Sequence, residues 1–140
     1  MADEKNSISC FMKFEHLTPM LWTNDLQATV AFYQTILGFD LDSYSTDWGW
    51  CHLHKNNVKL MFCKPNLHMV HKDPIGCTGS FYIYTEDVDD YWNLIHDKVT
   101  VEYPISNFKH SMREFAIYDN NGYLLQFGRE LKENEQREDF

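Results

Sequence analysis

The sequence predicts an α+β fold, two tandem β-α-β-β-β modules closing into one curved mixed sheet. Three observations predict it. Leu17 to Leu26 reads as a strand, a polar stop and a helix start, and Gly79 to Val88 repeats that grammar sixty-two residues later. Trp50 to Phe62 reads as strand, tight turn and strand, and Phe115 to Phe127 repeats it sixty-five residues on. Finally, 140 residues hold one ordinary domain and can bury a core without disulfides.

The elements follow in order. Residues 1–13 form an N-terminal segment, and a first module spans about 14–63. After the strand ending at Trp22, a helix is expected from about Asp25 to Leu37, capped by Asn24 or Asp25 and stopped by Gly38. Leu26, Val30, Tyr33 and Leu37 share its apolar face. Residues 64–78, with two prolines and a glycine, read as a linker. In the second module, about 79–129, a shorter helix is expected from Val88 to Asp97, with Val88, Tyr91, Trp92 and Ile95 on one face. The hairpin turns carry Asn56-Asn57 and Asn121-Gly122, residue types suited to positive φ. Asn56/Asn121, Leu60/Leu125 and Phe62/Phe127 are identical across the repeat. The mixed-charge end, 130–140, has no apolar face and reads as a frayed, solvated tail.

Composition excludes several classes. Hydrophobic residues make up 44% and aromatics 16%, too many for a disordered chain. A net charge of −9 argues against a reader of nucleic-acid phosphates, and −6 of it lies on the body once residues 1–5 and 129–140 are set aside. An acidic body suits a cationic ligand. No apolar run is long enough for a membrane span and no signal sequence is evident, so a cytoplasmic protein is expected. Cys10, Cys51, Cys63 and Cys77 form no C-x-x-C pair, as expected of free thiols in a reducing compartment. No nucleophile elbow or phosphate-binding loop occurs. Cys51 and His52 are strand neighbours that point to opposite faces, so they form no dyad.

On Asn24-Asp25-Leu26, Val30-Ala31-Phe32-Tyr33, Leu37-Gly38-Phe39, and Arg113 through Asp119 into Gly122-Tyr123-Leu124-Leu125, the chain resembles the vicinal-oxygen-chelate superfamily. That superfamily comprises glyoxalases, bleomycin-resistance proteins and dioxygenases, and the resemblance covers about residues 14–129. It implies four-stranded units curved into a cup, with helices on the convex side. Enzymes of the superfamily hold a divalent metal at four equivalent positions, which fall here on Thr18, Met61, Ser80 and Gln126. Those side chains are poor ligands for such a metal, so no metal, no cofactor and no catalytic residue is expected. The counter-candidate is His52-Leu53-His54. By the repeat His52 corresponds to Ile117 and Trp50 to Phe115, on the helix-packed side, so these histidines are expected in the core or at an edge. The remaining histidines are expected at the surface.

Period-2 alternation then assigns the cup lining. Thr18, Met20 and Trp22 are expected there, with Ser80, Tyr82 and Tyr84 from the counterpart strand. Cys51, Leu53, Glu114, Ala116 and Tyr118 follow from the third strands, and Lys59, Met61, Leu124 and Gln126 from the last. Trp48 falls where bleomycin-resistance proteins carry a stacking aromatic. The expected ligand-binding residues are Trp22, Trp48, Met61, Tyr82, Tyr84, Glu114, Tyr118 and Gln126. Aromatic faces with one carboxylate suit a planar, partly cationic molecule. The resemblance is strongest to the bleomycin-resistance branch, although Ser111 and Met112 stand where that branch often carries Trp-Gly. It implies a homodimer that sequesters a small molecule such as a bleomycin-like antibiotic. The alternatives are a lactoylglutathione lyase or dioxygenase relative with a displaced metal site using His52 or His54, and a module whose role is dimerisation alone.

Overall fold

A computed structural model describes residues 12–65 and 77–138. The first module contains β1 (Met20–Trp22), α1 (Leu26–Ala31) continuing into a wider π-helical stretch (Phe32–Leu37), β2 (Asp40–Ser45), β3 (Trp50–Lys55) and β4 (Val58–Cys63). The second contains β5 (Phe81–Tyr84), α2 (Val88–Ile95), β6 (Thr100–Asn107), β7 (Met112–Tyr118) and β8 (Leu124–Glu130). Each forms a four-stranded sheet, ordered β1-β4-β3-β2 and β5-β8-β7-β6. The first strand of each pairs parallel with the last, and the other pairings are antiparallel. The linker expected over 64–78 falls largely on 66–76, outside the described residues.

Local chemistry explains the helices. Asp25 caps α1, its Oδ1 accepting from the Ala28 N–H at 2.9 Å. Gly38, at φ 78°, lets the chain turn out of the helix into β2. Leu26, Val30, Tyr33 and Leu37 are all buried, as their spacing predicts. In α2, Val88 and Ile95 are buried, while Tyr91 and Trp92 pack against the same core. One hydrophobic cluster joins both modules through Leu21, Phe62, Phe115, Leu125 and Phe127. The junction is also polar: the Tyr123 hydroxyl accepts from the Trp22 N–H at 3.0 Å and donates to the Trp22 carbonyl at 2.8 Å.

Two expectations need correction. Cys51 and Leu53 do not line the helix-free face. They pair with Phe62 and Leu60, are fully buried, and belong to the helix-packed core. The reason is one residue in a hairpin tip. Two residues, 56 and 57, separate the paired Lys55 and Val58, whereas 120, 121 and 122 separate Asp119 from Tyr123, whose backbones still bond at 3.0 Å. The offset between modules is therefore sixty-five on β4 and β8 but sixty-four on β3 and β7. A one-residue slip exchanges the faces of a strand. Trp50, His52 and His54 consequently lie on the helix-free side.

The C-terminal segment does not fray over 131–138. Glu135 makes two hydrogen bonds with the Arg129 guanidinium, at 2.6 and 2.9 Å, and accepts the Lys132 N–H. The Glu138 N–H donates to the Asn107 carbonyl, and the Leu131 N–H to that of Ser111. Asn107 Nδ2 reaches the Gln136 carbonyl at 2.9 Å. The segment thus runs as a strap beside the β6–β7 hairpin.

Candidate functional site

The helix-free face of the second sheet can be built strand by strand from its register. Tyr82 of β5 stands beside Gln126 of β8, which stands beside Ala116 of β7, then Tyr103 of β6. One row further on come Tyr84, Gly128, Glu114 and Ser106. The absence of a side chain at Gly128 shapes this row. A Cβ there would run into the Tyr82 hydroxyl and stand 2.9 Å from the Glu114 Cβ. Tyr82 therefore lies across Gly128 towards Glu114, and its ring centroid is 5.1 Å from that of Tyr84.

Glu114 is the chemically loaded residue of this face. Only 2% of it is exposed, although it carries a carboxylate. Its Oε1 lies 2.5 Å from His110 Nε2, at the β6–β7 turn. Its Oε2 and the Tyr82 hydroxyl are buried, and neither makes a hydrogen bond of good geometry. Burial, and then the Glu114 carboxylate, push the Tyr82 hydroxyl well above its ordinary pKa. Tyr82 is thus held as a neutral hydroxyl beside an acid. Alongside, Gln126 donates to the Tyr103 hydroxyl at 2.8 Å and accepts from Ser80 Oγ at 2.5 Å. Phe108 lies between Tyr103 and His110, tilted against the first at 5.1 Å and stacked on the second at 5.5 Å.

Of the residues singled out from sequence, Tyr82, Tyr84, Glu114 and Gln126 are thereby on neighbouring strands of one face. Tyr118 shares the face but lies four residues from Glu114 along β7, roughly 13 Å at strand rise. Its hydroxyl sits against Glu102, whose carboxylate raises its pKa. Trp22 and Met61 are on the helix-free face of the other sheet, next to Cys63 and Met20 respectively. Trp48 is 85% exposed at the β2–β3 turn, where its N–H donates to Ser45 Oγ.

Sequence reasoning missed His110, Tyr103, Ser106 and Phe108. The β6 residues were hard to assign because that strand pairs irregularly with β7, with register shifts after Val101 and Tyr103. His110 offered no periodic signal, since it belongs to a turn. On the first sheet, Asp42 sits at a bulge between Leu41 and Ser43. From there its carboxylate lies 2.7 Å from His54 Nδ1 and 3.5 Å from His52 Nδ1.

The four positions where relatives would carry a metal do not suit one. Ser80 and Gln126 are hydrogen-bonded to each other, and Thr18 Oγ1 lies 3.3 Å from His16 Nδ1. Met61 offers only a soft thioether, and no anionic ligand stands at any of the four. Among the described residues, no group of three or more His, Cys, Asp or Glu side chains is arranged to hold a metal ion. This face offers a buried carboxylate, aromatic surface and an amide group. Among the described residues, no helix is long and apolar enough to cross a membrane.

Solved structures share this architecture. The bleomycin-binding protein of Streptomyces verticillus, crystallised with copper(II)-bleomycin, superposes with a TM-score of 0.62 at 22% identity, over 87% of this chain and 99% of that one. TnmS3, an antibiotic-binding protein from Streptomyces sp. CB03234, gives 0.70 at 19%, covering 85% and 98%. A lactoylglutathione lyase from Agrobacterium tumefaciens gives 0.62 at 17%, covering 82% and 93%. No curated protein matches the sequence. The sequence profile of one family spans residues 13–127, reaching from the first module into β8 of the second and stopping one residue short of Gly128. With its paired four-stranded units, the chain belongs to the Glyoxalase/Bleomycin resistance protein/Dioxygenase superfamily.

Proposed function

We propose that this chain is a metal-free small-molecule-binding protein that sequesters an aromatic or cationic ligand, such as a bleomycin-like antibiotic. The observation that carries the reading is Glu114, almost wholly buried, with one carboxylate oxygen that lies near the Tyr82 hydroxyl but makes no hydrogen bond of good geometry. A buried acceptor left without a partner costs about 1–3 kcal/mol, and more when charged. A cationic N–H donor entering this face removes that cost and forms a charge-assisted hydrogen bond. Tyr82 and Tyr84, with rings tilted 50° to each other, supply aromatic faces against which an aromatic ligand packs. Trp22, Trp48, Met61, Tyr118 and Gln126 complete the proposed set, with Trp48 acting from the edge. The antibiotic-binding neighbours support the class of ligand.

The test is calorimetric titration with bleomycin and a panel of planar cations, with and without a chelator. Binding that survives chelation and weakens at least tenfold in Glu114→Gln is expected. Unchanged affinity in that variant removes Glu114 from the site. Trp48→Ala is expected to weaken binding less. The proposal extends to a cytoplasmic homodimer, as in the bleomycin-resistance branch that the chain resembles.

A second reading, a metal-dependent lyase or dioxygenase with a displaced site, draws on the Asp42-bridged His52 and His54 and on the lyase neighbour. Stoichiometric metal retained by protein purified without chelator, and lost in His52→Ala, would favour it.

A further inference from the structure

We infer that the C-terminal strap is part of the ligand site, and that its Glu138 makes the site selective for a ligand carrying two positive charges. The inference rests on the proposed cation-binding role of Glu114. Ser106 stands directly opposite Glu114 across β6 and β7, so their side chains rise from the same face. Ser106 is itself buried, and its hydroxyl donates to Glu138 Oε2 at 2.7 Å. The strap is anchored at Glu138 itself, by its N–H on the Asn107 carbonyl, and three residues earlier by Glu135 on Arg129. Glu138 is therefore held at the exposed rim of the site by its bond to Ser106.

Electrostatics gives that placement its meaning. Glu114 already brings a carboxyl group into a buried position, with one oxygen that makes no hydrogen bond of good geometry. A second carboxylate, held on Ser106 one strand away, adds acid at the rim of the same face. His110, on Glu114 Oε1, is the nearest basic group of the pair. Arg113 and Arg129 are turned to Asp89 and Glu135 instead. Two like charges held close favour whatever supplies two opposite ones. A monocation would satisfy Glu114 alone. A dication whose charges are separated by the width of a strand pair would satisfy both acids, with one end desolvated and the other at the rim.

The experiment compares methyl viologen, a planar dication, with N-methylquinolinium, a planar monocation, by calorimetry at low ionic strength. Wild-type protein is expected to bind the dication at least tenfold more tightly. Glu138→Gln should erase most of that preference, weakening the dication five- to tenfold and the monocation less than twofold. Ser106→Ala should act in the same direction. Glu133→Gln, which removes the same charge elsewhere on the strap, should change neither probe by more than twofold. If Glu138→Gln weakens both probes equally, or neither, the strap is structural and the inference is overturned. If the wild type binds the monocation but shows no preference for the dication, the inference fails while the cation site stands. If neither probe binds, or Glu114→Gln affects neither, the cation site itself fails and this inference with it.

Discussion

The Tyr33 hydroxyl donates a 2.7 Å hydrogen bond to Asp119 Oδ2, eighty-six residues away in the other module. The same carboxylate accepts the N–H groups of Asn121 and Tyr123, so it organises the β7–β8 loop against the π-helical stretch that follows α1. Removing the hydroxyl leaves a buried carboxylate oxygen without its partner. Tyr33→Phe is expected to cost about 1–3 kcal/mol of stability. The cost should depend on pH. Burial raises the Asp119 carboxyl above its ordinary value of 3.8, and the Tyr33 hydrogen bond opposes that rise. A raised carboxyl favours the protonated folded protein, a contribution complete below 3.8 and lost as pH climbs through the folded value. Without Tyr33 the folded value rises further. Urea unfolding should therefore show a larger penalty at pH 7 than near pH 4, and equal penalties would contradict the coupling.

Gly128 should tolerate no side chain. The nearest obstacle to a Cβ is the Tyr82 hydroxyl, with the Glu114 Cβ at 2.9 Å and Tyr82 Cζ at 3.0 Å. Gly128→Ala is expected to cost about 1–3 kcal/mol through overpacking and to swing Tyr82 away from Glu114. Thermal unfolding measures the first effect. The second should appear as at least a fivefold loss of cation affinity, with native-like circular dichroism. Full affinity in the folded variant would mean that the placement of Tyr82 is unimportant.

The strap should detach in acid before the sheets come apart. The Arg129 guanidinium, with help from the Lys132 N–H, holds the Glu135 carboxyl down to about 2 from its ordinary 4.5. A depressed carboxyl contributes its tether fully above 4.5 and loses it as pH falls towards 2. Amide exchange of Lys132 and Glu138 should accelerate across that window while the central amides of β8 remain protected. Simultaneous loss of both would show that the strap and the sheet open as one unit.

The two-module plan was legible because hydrophobic alternation and turn chemistry are local signals. Leu26, Val30, Tyr33 and Leu37 declare a helix face whatever surrounds them, and Asp25 and Gly38 mark its ends. The face of β3 was not legible, because it depends on the length of a hairpin tip rather than on the strand itself. Cys51 and His52 are equally acceptable on either side of a strand until Phe62 and Met61 select their partners. The strap escaped for another reason. Its anchors, Arg129 with Glu135 and Ser106 with Glu138, join groups that follow no period, in a segment with no apolar face. Glu114 was recognisable as an acid on the right face, but its unpartnered oxygen is a property of the packed neighbourhood.

The extra residue in the Asp119–Tyr123 tip has a consequence for ancestry as well as for packing. Once the sixty-four-residue offset is applied to the third strands, Glu114 falls opposite Trp50 in the repeat and Ala116 opposite His52. Two halves drawn to the same plan therefore present different chemistry at equivalent places: an acid where the other has an indole, a methyl group where the other has an imidazole. A length change absorbed at a tip leaves each strand's core residues untouched, so each half is free to drift in what it displays. The duplicated architecture has become a molecule with two unlike walls, of which, among the described residues, one is furnished with a buried acid.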